Sequence, residues 1–394
     1  MEGSQSITLL VISIGAFLVP LISGRIGIPA AVGEIAFGFL VGPYVIGVVT
    51  ETAFFTFLAE FGFAFLMFLA GLELDFTSLE RRGSRLLVIS LLVATSITGL
   101  AFLAAYHQGY PLFFGIIFGA TSIGIVLVSL RETGLARSDF GQTIILVGSI
   151  GEFLTIVIAT FYNIVFRFGF GLMFLEEMVR LGVVFAIAFL VLKSLRLLVW
   201  WYPFQFSRWI EIEDPSEVGV RAGLAIMIAF VAISQLMNME AILGAFLAGA
   251  LFSFVFREKG VLATKLSSIG QGFFIPIFFI HVGVSFNIAA LGSPRILPLM
   301  FEILLLSLLV KTIACAILRV ERFGLKQLAS ASLLLATPLT LLVAIATLGL
   351  ELGALNEVES TTVILVAVLS GLLFPTLFKA LNKIGGRTNA AVVE

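Results

Sequence analysis

Thirteen stretches of this chain are apolar for long enough to cross a bilayer, and little sequence is left between them. They fall near 7–24, 29–48, 52–71, 85–106, 111–130, 140–165, 175–199, 217–236, 239–256, 269–286, 295–318, 327–349 and 358–381. The pattern predicts an all-α polytopic membrane protein of about 13 transmembrane helices. Composition agrees: 60% of residues are hydrophobic and 12% charged, against roughly 25% charged in soluble domains. An ordinary globular protein is excluded. A formal net charge of −1 gives no reason to expect nucleic acid as a partner. The single cysteine, Cys315, rules out an intrachain disulfide. The first apolar run follows MEGSQS, which lacks a basic n-region and a small-residue cleavage site, so it reads as a retained helix and not a signal peptide.

The basic residues test this topology. With the N-terminus outside, all but four of the 23 Lys and Arg fall on the cytoplasmic side. Arg167, Arg180 and Arg295 fall opposite, and Lys311 falls inside a span. Such a bias predicts N-out, C-in orientation, and one helix more or fewer would scramble it. The longest polar connection, 201–216, carries Trp209, Glu211, Glu213, Asp214 and Pro215 and reads as an interfacial connector between two halves. The tail after Leu381 is too short to fold alone. The expectation is one membrane transport domain over 1–394, with no soluble regulatory domain.

Charge at membrane depth is where chemistry is expected, because an intramembrane ionisable group is costly unless paired, wetted or used. Glu152 lies near the middle of 142–166, with Gly148, Ser149 and Gly151 leaving room beside it. Lys311 is the second such charge, and its natural partner is Glu152. Two spans are interrupted in corresponding ways, FGATSIGIVLVSL (118–130) and LLATPLTLLVAIA (334–346). Each sets Ala-Thr before a helix weakener, Thr121 before Gly124 and Thr337 before Pro338. In the orientation above the two spans run in opposite directions, which points to an inverted-repeat transporter whose broken helix ends face its ions. The plainer alternative is that Thr121 and Thr337 hydrogen-bond back to their own helices. Glu60, His281 and Glu302 are further membrane-depth polar groups, with Glu302 towards the outer interface. No Walker-type loop, HExxH or paired cysteine site is present. An enzyme, a cofactor and a nucleotide site are therefore not expected.

The stretches GEIAFGFLVGP (33–43), FLMFLAGLELD (65–75), GATSIGIVLVSLRETG (119–134), LGAFLAGALF (243–252), PIFFIHVGVSFN (276–287) and VLSGLLFPTL (368–377) together resemble the monovalent cation:proton antiporter-2 family. That family includes sodium/proton antiporters and Kef-type potassium/proton systems, and the likeness covers the membrane region in order. It implies a homodimer with scaffold helices about 7–71 and 175–286, and a moving core about 85–165 and 295–381. The core would hold two crossed, interrupted helices, at Thr121-Ser122 and Thr337-Pro338, and work by elevator-like alternating access. The family's acidic ion-site pair falls at Gly151-Glu152 and its membrane lysine at Lys311. The chain departs in having Gly151 for the first acid or amide and the longer Glu152 for the aspartate, which leaves Lys311 to pair directly with Glu152.

The resulting expectation is a secondary antiporter of the cell (inner or plasma) membrane, exchanging Na⁺ or K⁺ for H⁺ at one carboxylate. Oxygens of Glu152, Thr121, Ser149 and the interrupted helices would coordinate the cation. One carboxylate implies one proton per cation and electroneutral exchange. Two rival functions remain open: a sodium-coupled organic-anion symporter, and a non-exchanging membrane component of a larger cation-responsive system.

Overall fold

A helix is the only backbone form that lets so apolar a segment satisfy its own N–H and C=O groups within lipid without a neighbour. In the computed structural model every described element is accordingly helical. The structure describes residues 3–26, 28–73, 84–201, 217–237, 241–255, 260–285 and 293–386. The helices are α1 (Gly3–Ile26), α2 (Ala30–Val41), α3 (Ala53–Glu73), α4 (Ser84–His107), α5 (Phe113–Gly119), α6 (Ile123–Glu132), α7 (Asp139–Phe168) and α8 (Leu172–Trp201). They continue as α9 (Val218–Leu236), α10 (Ala241–Val255), α11 (Gly260–Ile269), α12 (Ile275–Val284), α13 (Ile296–Cys315), α14 (Leu325–Leu335), α15 (Leu339–Glu351) and α16 (Glu357–Gly386). A π-helical turn, Gly270–Phe274, joins α11 to α12, and a 3₁₀ turn, Ala316–Glu321, extends α13.

Each expected range holds helix among its described residues. Among the described residues nine helices are long and apolar enough to cross a membrane, or ten if α14 and α15, bent by 40° at their junction, count as one. The stretch expected as a helix over 29–48 ends at Val41, where Gly42 turns extended (φ −68°, ψ 175°) ahead of Pro43. A residue preceding proline is pushed out of the helical region, so the chain cannot continue the helix there. At 12 residues α2, and at 15 residues α10, fall short of the ~20 that a full crossing takes. The connector expected at 201–216 lies, apart from Trp201, outside the described residues, as does the chain after 386.

The chain divides into two compact units, residues 1–77 with 163–286 and residues 78–162 with 287–394. The first is held by helices packed backbone to backbone. A Cβ added at Gly38 would lie 2.0 Å from the Ile280 carbonyl, and one at Gly283 would lie 2.0 Å from the Ile35 carbonyl. The same reciprocal contact recurs between α3 and α10. There a Cβ at Gly71 would lie 2.1 Å from the Phe246 carbonyl, and one at Gly249 would lie 1.9 Å from that of Phe68. Small residues on facing helices allow this approach, and close packing drives helix association where lipid removes the hydrophobic incentive. Around them the phenylalanines of α3 pack: Phe63 stacks on Phe278 and Phe61 meets Phe274 edge-on, each at 4.8 Å.

The second unit gathers α4, α5, α6, most of α7, and α13 to α16. Here α4 packs on α5 and α13, α13 on α14 and α16, and α15 on α16. Both interrupted spans lie in this unit.

The glycine contacts carry a direct test. Gly71→Ala must push two backbones apart, and overpacking of this kind costs roughly 1–3 kcal/mol. Gly99→Ala meets nothing within 4 Å. The thermal midpoint in detergent is expected to fall for the first variant and hold for the second.

Candidate functional site

Two breaks set up the site. Helix α5 stops at Gly119, Ala120 and Ser122 are extended (ψ 130° and 142°), and α6 begins at Ile123. Helix α14 stops at Leu335, and α15 resumes at Leu339 after Ala336, Thr337 and Pro338. The interruptions are thus Ala-Thr-Ser at 120–122 and Ala-Thr-Pro at 336–338. Gly124 is not the weak point expected of it. It sits inside the first turn of α6, and a Cβ there would meet nothing within 4 Å. The counterpart of Pro338 is Ser122.

A break in lipid frees backbone donors and acceptors, and each needs a partner. At the start of α6 the partner is Glu152, 1% exposed on α7. Its Oε2 accepts from the Ile123 amide at 3.2 Å and its Oε1 accepts from the Ser122 hydroxyl at 3.0 Å. A carboxylate at a helix N-terminus also meets the positive end of the helix dipole. At the end of α5 the partner is Lys311, 0% exposed on α13, whose Nζ donates to the Phe118 carbonyl at 2.5 Å. That is the negative end of a helix dipole, where a cation is favoured. Lys311 was expected to pair with Glu152. Its ammonium instead goes to the other lip of the same break, because α5 ends there with an unsatisfied carbonyl.

The second break needs less help. Pro338 has no amide to satisfy, and the Thr337 hydroxyl donates to the Leu334 carbonyl of its own helix at 2.5 Å. The plainer reading of Thr337 therefore holds. It fails for Thr121, whose fully buried hydroxyl has no hydrogen-bond partner. That hydroxyl lies against Gly151, where an added Cβ would come within 2.2 Å of Thr121 Oγ1. The missing side chain at Gly151 is the space the threonine occupies.

The structure brings Glu152, Ser122 and Thr340 into one chain of oxygens, since Ser122 Oγ lies 3.2 Å from Thr340 Oγ1 at the start of α15. Thr340 escaped the sequence reading. The available signal was its place three residues beyond Thr337, on the first turn after the break. Ser149, expected as a ligand, donates instead to the Ile145 carbonyl at 2.8 Å, which turns its hydroxyl along its own helix. The remaining candidates lie apart from the breaks in their contacts. Glu60 is exposed on α3. His281 lies edge-on to Phe55 at 4.9 Å with its Nε2 unpartnered. Glu302 accepts from Tyr110 at 2.6 Å.

Among the described residues no cluster of three or more His, Cys, Asp or Glu forms a metal centre. What the site offers is one carboxylate among hydroxyl oxygens. Hard oxygen donors of this kind suit a proton or a hard cation.

Residues 12–383 match the family model described as "Sodium/hydrogen exchanger, transmembrane". A putative Na⁺/H⁺ antiporter of Bacillus subtilis, YjbQ, is 29% identical over 97% of this chain, and the chain spans 64% of that protein's length. The Na⁺/H⁺-K⁺ antiporter GerN of Bacillus cereus is 26% identical, with 91% of each chain covered. A probable Na⁺/H⁺ antiporter of Methanocaldococcus jannaschii is 26% identical over 96% of this chain and 97% of its own. Among solved structures, the sodium proton antiporter MjNhaP1 of the same organism superposes with a TM-score of 0.63, covering 96% of both chains at 12% identity. That likeness is one of fold.

Gly151 and Thr121 give a measurable coupling. Gly151→Ala drives a Cβ into the threonine hydroxyl, and the expected destabilisation is about 1–3 kcal/mol. In a Thr121→Ala background the same change is expected to cost much less. Thermal unfolding of the two singles and the double mutant checks this, and additive losses would count against the contact.

Proposed function

The chain belongs to the transmembrane sodium/hydrogen exchanger family, and from that premise we propose that it is a secondary antiporter exchanging Na⁺ or K⁺ for H⁺ at Glu152. The observation that carries the reading is the pairing of a buried carboxylate, anchored on Ser122 and Ile123, with the unpartnered buried hydroxyl of Thr121 beside Gly151. A buried hydroxyl left unsatisfied costs about 1–3 kcal/mol, and a dehydrated alkali ion or a water is a natural occupant for it. The motifs between Gly33 and Leu377 favour the antiporter-2 branch of the family.

The mechanism is competition. Glu152 either takes up a proton or lends its oxygens to a cation, with Thr121, Ser122 and Thr340 supplying neutral oxygens. If the loaded forms cross and the empty, ionised form does not, exchange follows without ATP. Each ligand drives the change only through its differential affinity for the two states. The reading of a moving core is supported by the gathering of both breaks, Glu152 and Lys311 in one compact unit. The glycine-locked packing of the other unit suits a static scaffold. One proton per cation is supported by the presence of one carboxylate at the break, while the Lys311 amino group donates to the Phe118 carbonyl. It is placed to brace the break while Glu152 titrates. The reading includes a homodimer, which rests on the family resemblance, in the plasma membrane with the N-terminus outside, following the distribution of Lys and Arg.

Proteoliposomes loaded with a pH-sensitive dye test the function. Addition of Na⁺ or K⁺ is expected to release protons from wild-type vesicles, and Glu152→Gln is expected to abolish the response. Full exchange in that variant would remove Glu152 from the mechanism. Because proton and cation share one carboxylate, acidification is expected to raise the apparent KM for cation while leaving the maximal rate unchanged. A solid-supported membrane should record no net current if exchange is one for one.

A further inference from the structure

Helix α5 has only seven residues and is cut off from α6 by the break, so no continuing helix fixes where it ends. Its carbonyl terminus nevertheless has to meet Lys311. Tyr110, on the turn that joins α4 to α5, is bound at both of its ends. Its hydroxyl donates to Oε2 of Glu302 at 2.6 Å, while Gln108 donates to Oε1 of the same carboxylate at 3.2 Å. Its ring stacks on Phe114 at 4.5 Å and meets Phe118 edge-on at 5.9 Å. Both phenylalanines are fully buried on α5. Phe118 is also the residue whose carbonyl accepts from Lys311, and Lys311 shares α13 with Glu302.

Helices α5 and α13 are therefore tied twice, through Tyr110 and Glu302 at one end of α5 and through Phe118 and Lys311 at the other. We propose that Tyr110 is a positioning residue for exchange, setting through Glu302 and the rings of Phe114 and Phe118 where α5 presents its terminal carbonyl to Lys311. The inference rests on the antiporter reading. The surroundings keep the tie intact. Burial, the hydrogen bond to Glu302 and the nearby charges of Glu302 and Glu359 hold the Tyr110 phenol above its ordinary value, with Arg295 opposing. The phenol thus remains a donor throughout the physiological range. The tie borders an open cavity of about 680 Å³ lined by Tyr110, Arg295, Glu302, Asn356 and Glu359, so it is reachable from solvent.

The test compares wild type, Tyr110→Phe, Glu302→Leu, the double mutant and Gln108→Leu in proteoliposomes. The readouts are maximal rate, apparent cation KM and amide hydrogen exchange across residues 113–119. Tyr110→Phe keeps the ring contacts and loses one charge-assisted hydrogen bond, and a maximal rate lower by about tenfold is expected. The apparent KM is expected to stay within about twofold, because Glu152, Ser122 and Thr340 keep their contacts, and a KM-only effect would mean lost uniform binding. Glu302→Leu should match Tyr110→Phe, and the double mutant should be no slower than either single. Gln108→Leu, which removes a bond to Glu302 but no contact with α5, should exchange like wild type. Amide exchange across 113–119 should quicken in both Tyr110→Phe and Glu302→Leu. An unchanged rate and unchanged amide exchange, multiplying losses in the double mutant, or a change in KM alone would each overturn the proposal. If Tyr110→Phe fails to fold, Glu302→Leu carries the same readouts. If wild type shows no exchange, the antiporter reading falls, and amide exchange still decides whether the tie positions α5.

Discussion

A helix interrupted inside a bilayer exposes amides and carbonyls where no water is at hand, and this chain answers that cost with the two most deeply buried carboxyl or amino groups among its described residues. Glu152 comes from α7 to the first amide of α6, and Lys311 comes from α13 to the last turn of α5. Each charge would be costly alone in lipid. Each terminal group would be costly unpaired. Together they cancel, carboxylate on the positive end of one half-helix and ammonium on the negative end of the other. The site therefore does not sit beside the break. It is what makes the break tolerable, and whatever displaces Glu152 from Ile123 also loosens the start of α6.

The two breaks reach the same geometry by different chemistry. At 336–338 proline removes a donor and Thr337 bonds back within its own helix, so neutral groups suffice. At 120–122 there is no proline, and outside charges do the work. That asymmetry places a buried carboxylate at the first break, while the described contacts of the second are made by neutral groups. Thr340 and Ser122, one from each broken span, are where the two breaks touch.

The sequence displayed the parts of the site that violate the rules for lipid. Glu152 and Lys311 stood out as charges without a loop, and the Ala-Thr pairs stood out as polar interruptions. What it did not display was rotation. Nothing in one dimension says which way the end of α13 turns, so Lys311 was assigned to the nearest opposite charge when an orphan carbonyl on α5 takes it. Gly124 was credited with a break that its neighbours make, because Ser122 has ordinary helix propensity until Glu152 accepts from it. Ser149 looked like a ligand by proximity in sequence, but its hydroxyl found a carbonyl one turn back. The end of the second helix fell short of its expected range for a local reason, since α2 stops before Pro43 although the apolar run carries on. Gly151 read as a departure from a family pattern, and only the approach of Thr121 gives it a purpose.

The reciprocal glycine contacts of the first unit have a consequence for how the chain is made. Gly38 and Gly71 lie near the N-terminus, while the backbones they press against, at Ile280 and Phe246, emerge from the ribosome some two hundred residues later. Until then α2 and α3 carry notched faces with nothing to fill them, and the whole second unit's first three helical spans are inserted in the interval. Assembly of the first unit is thus an act of waiting, closed by helices that follow residue 240, and membrane insertion must run well ahead of packing.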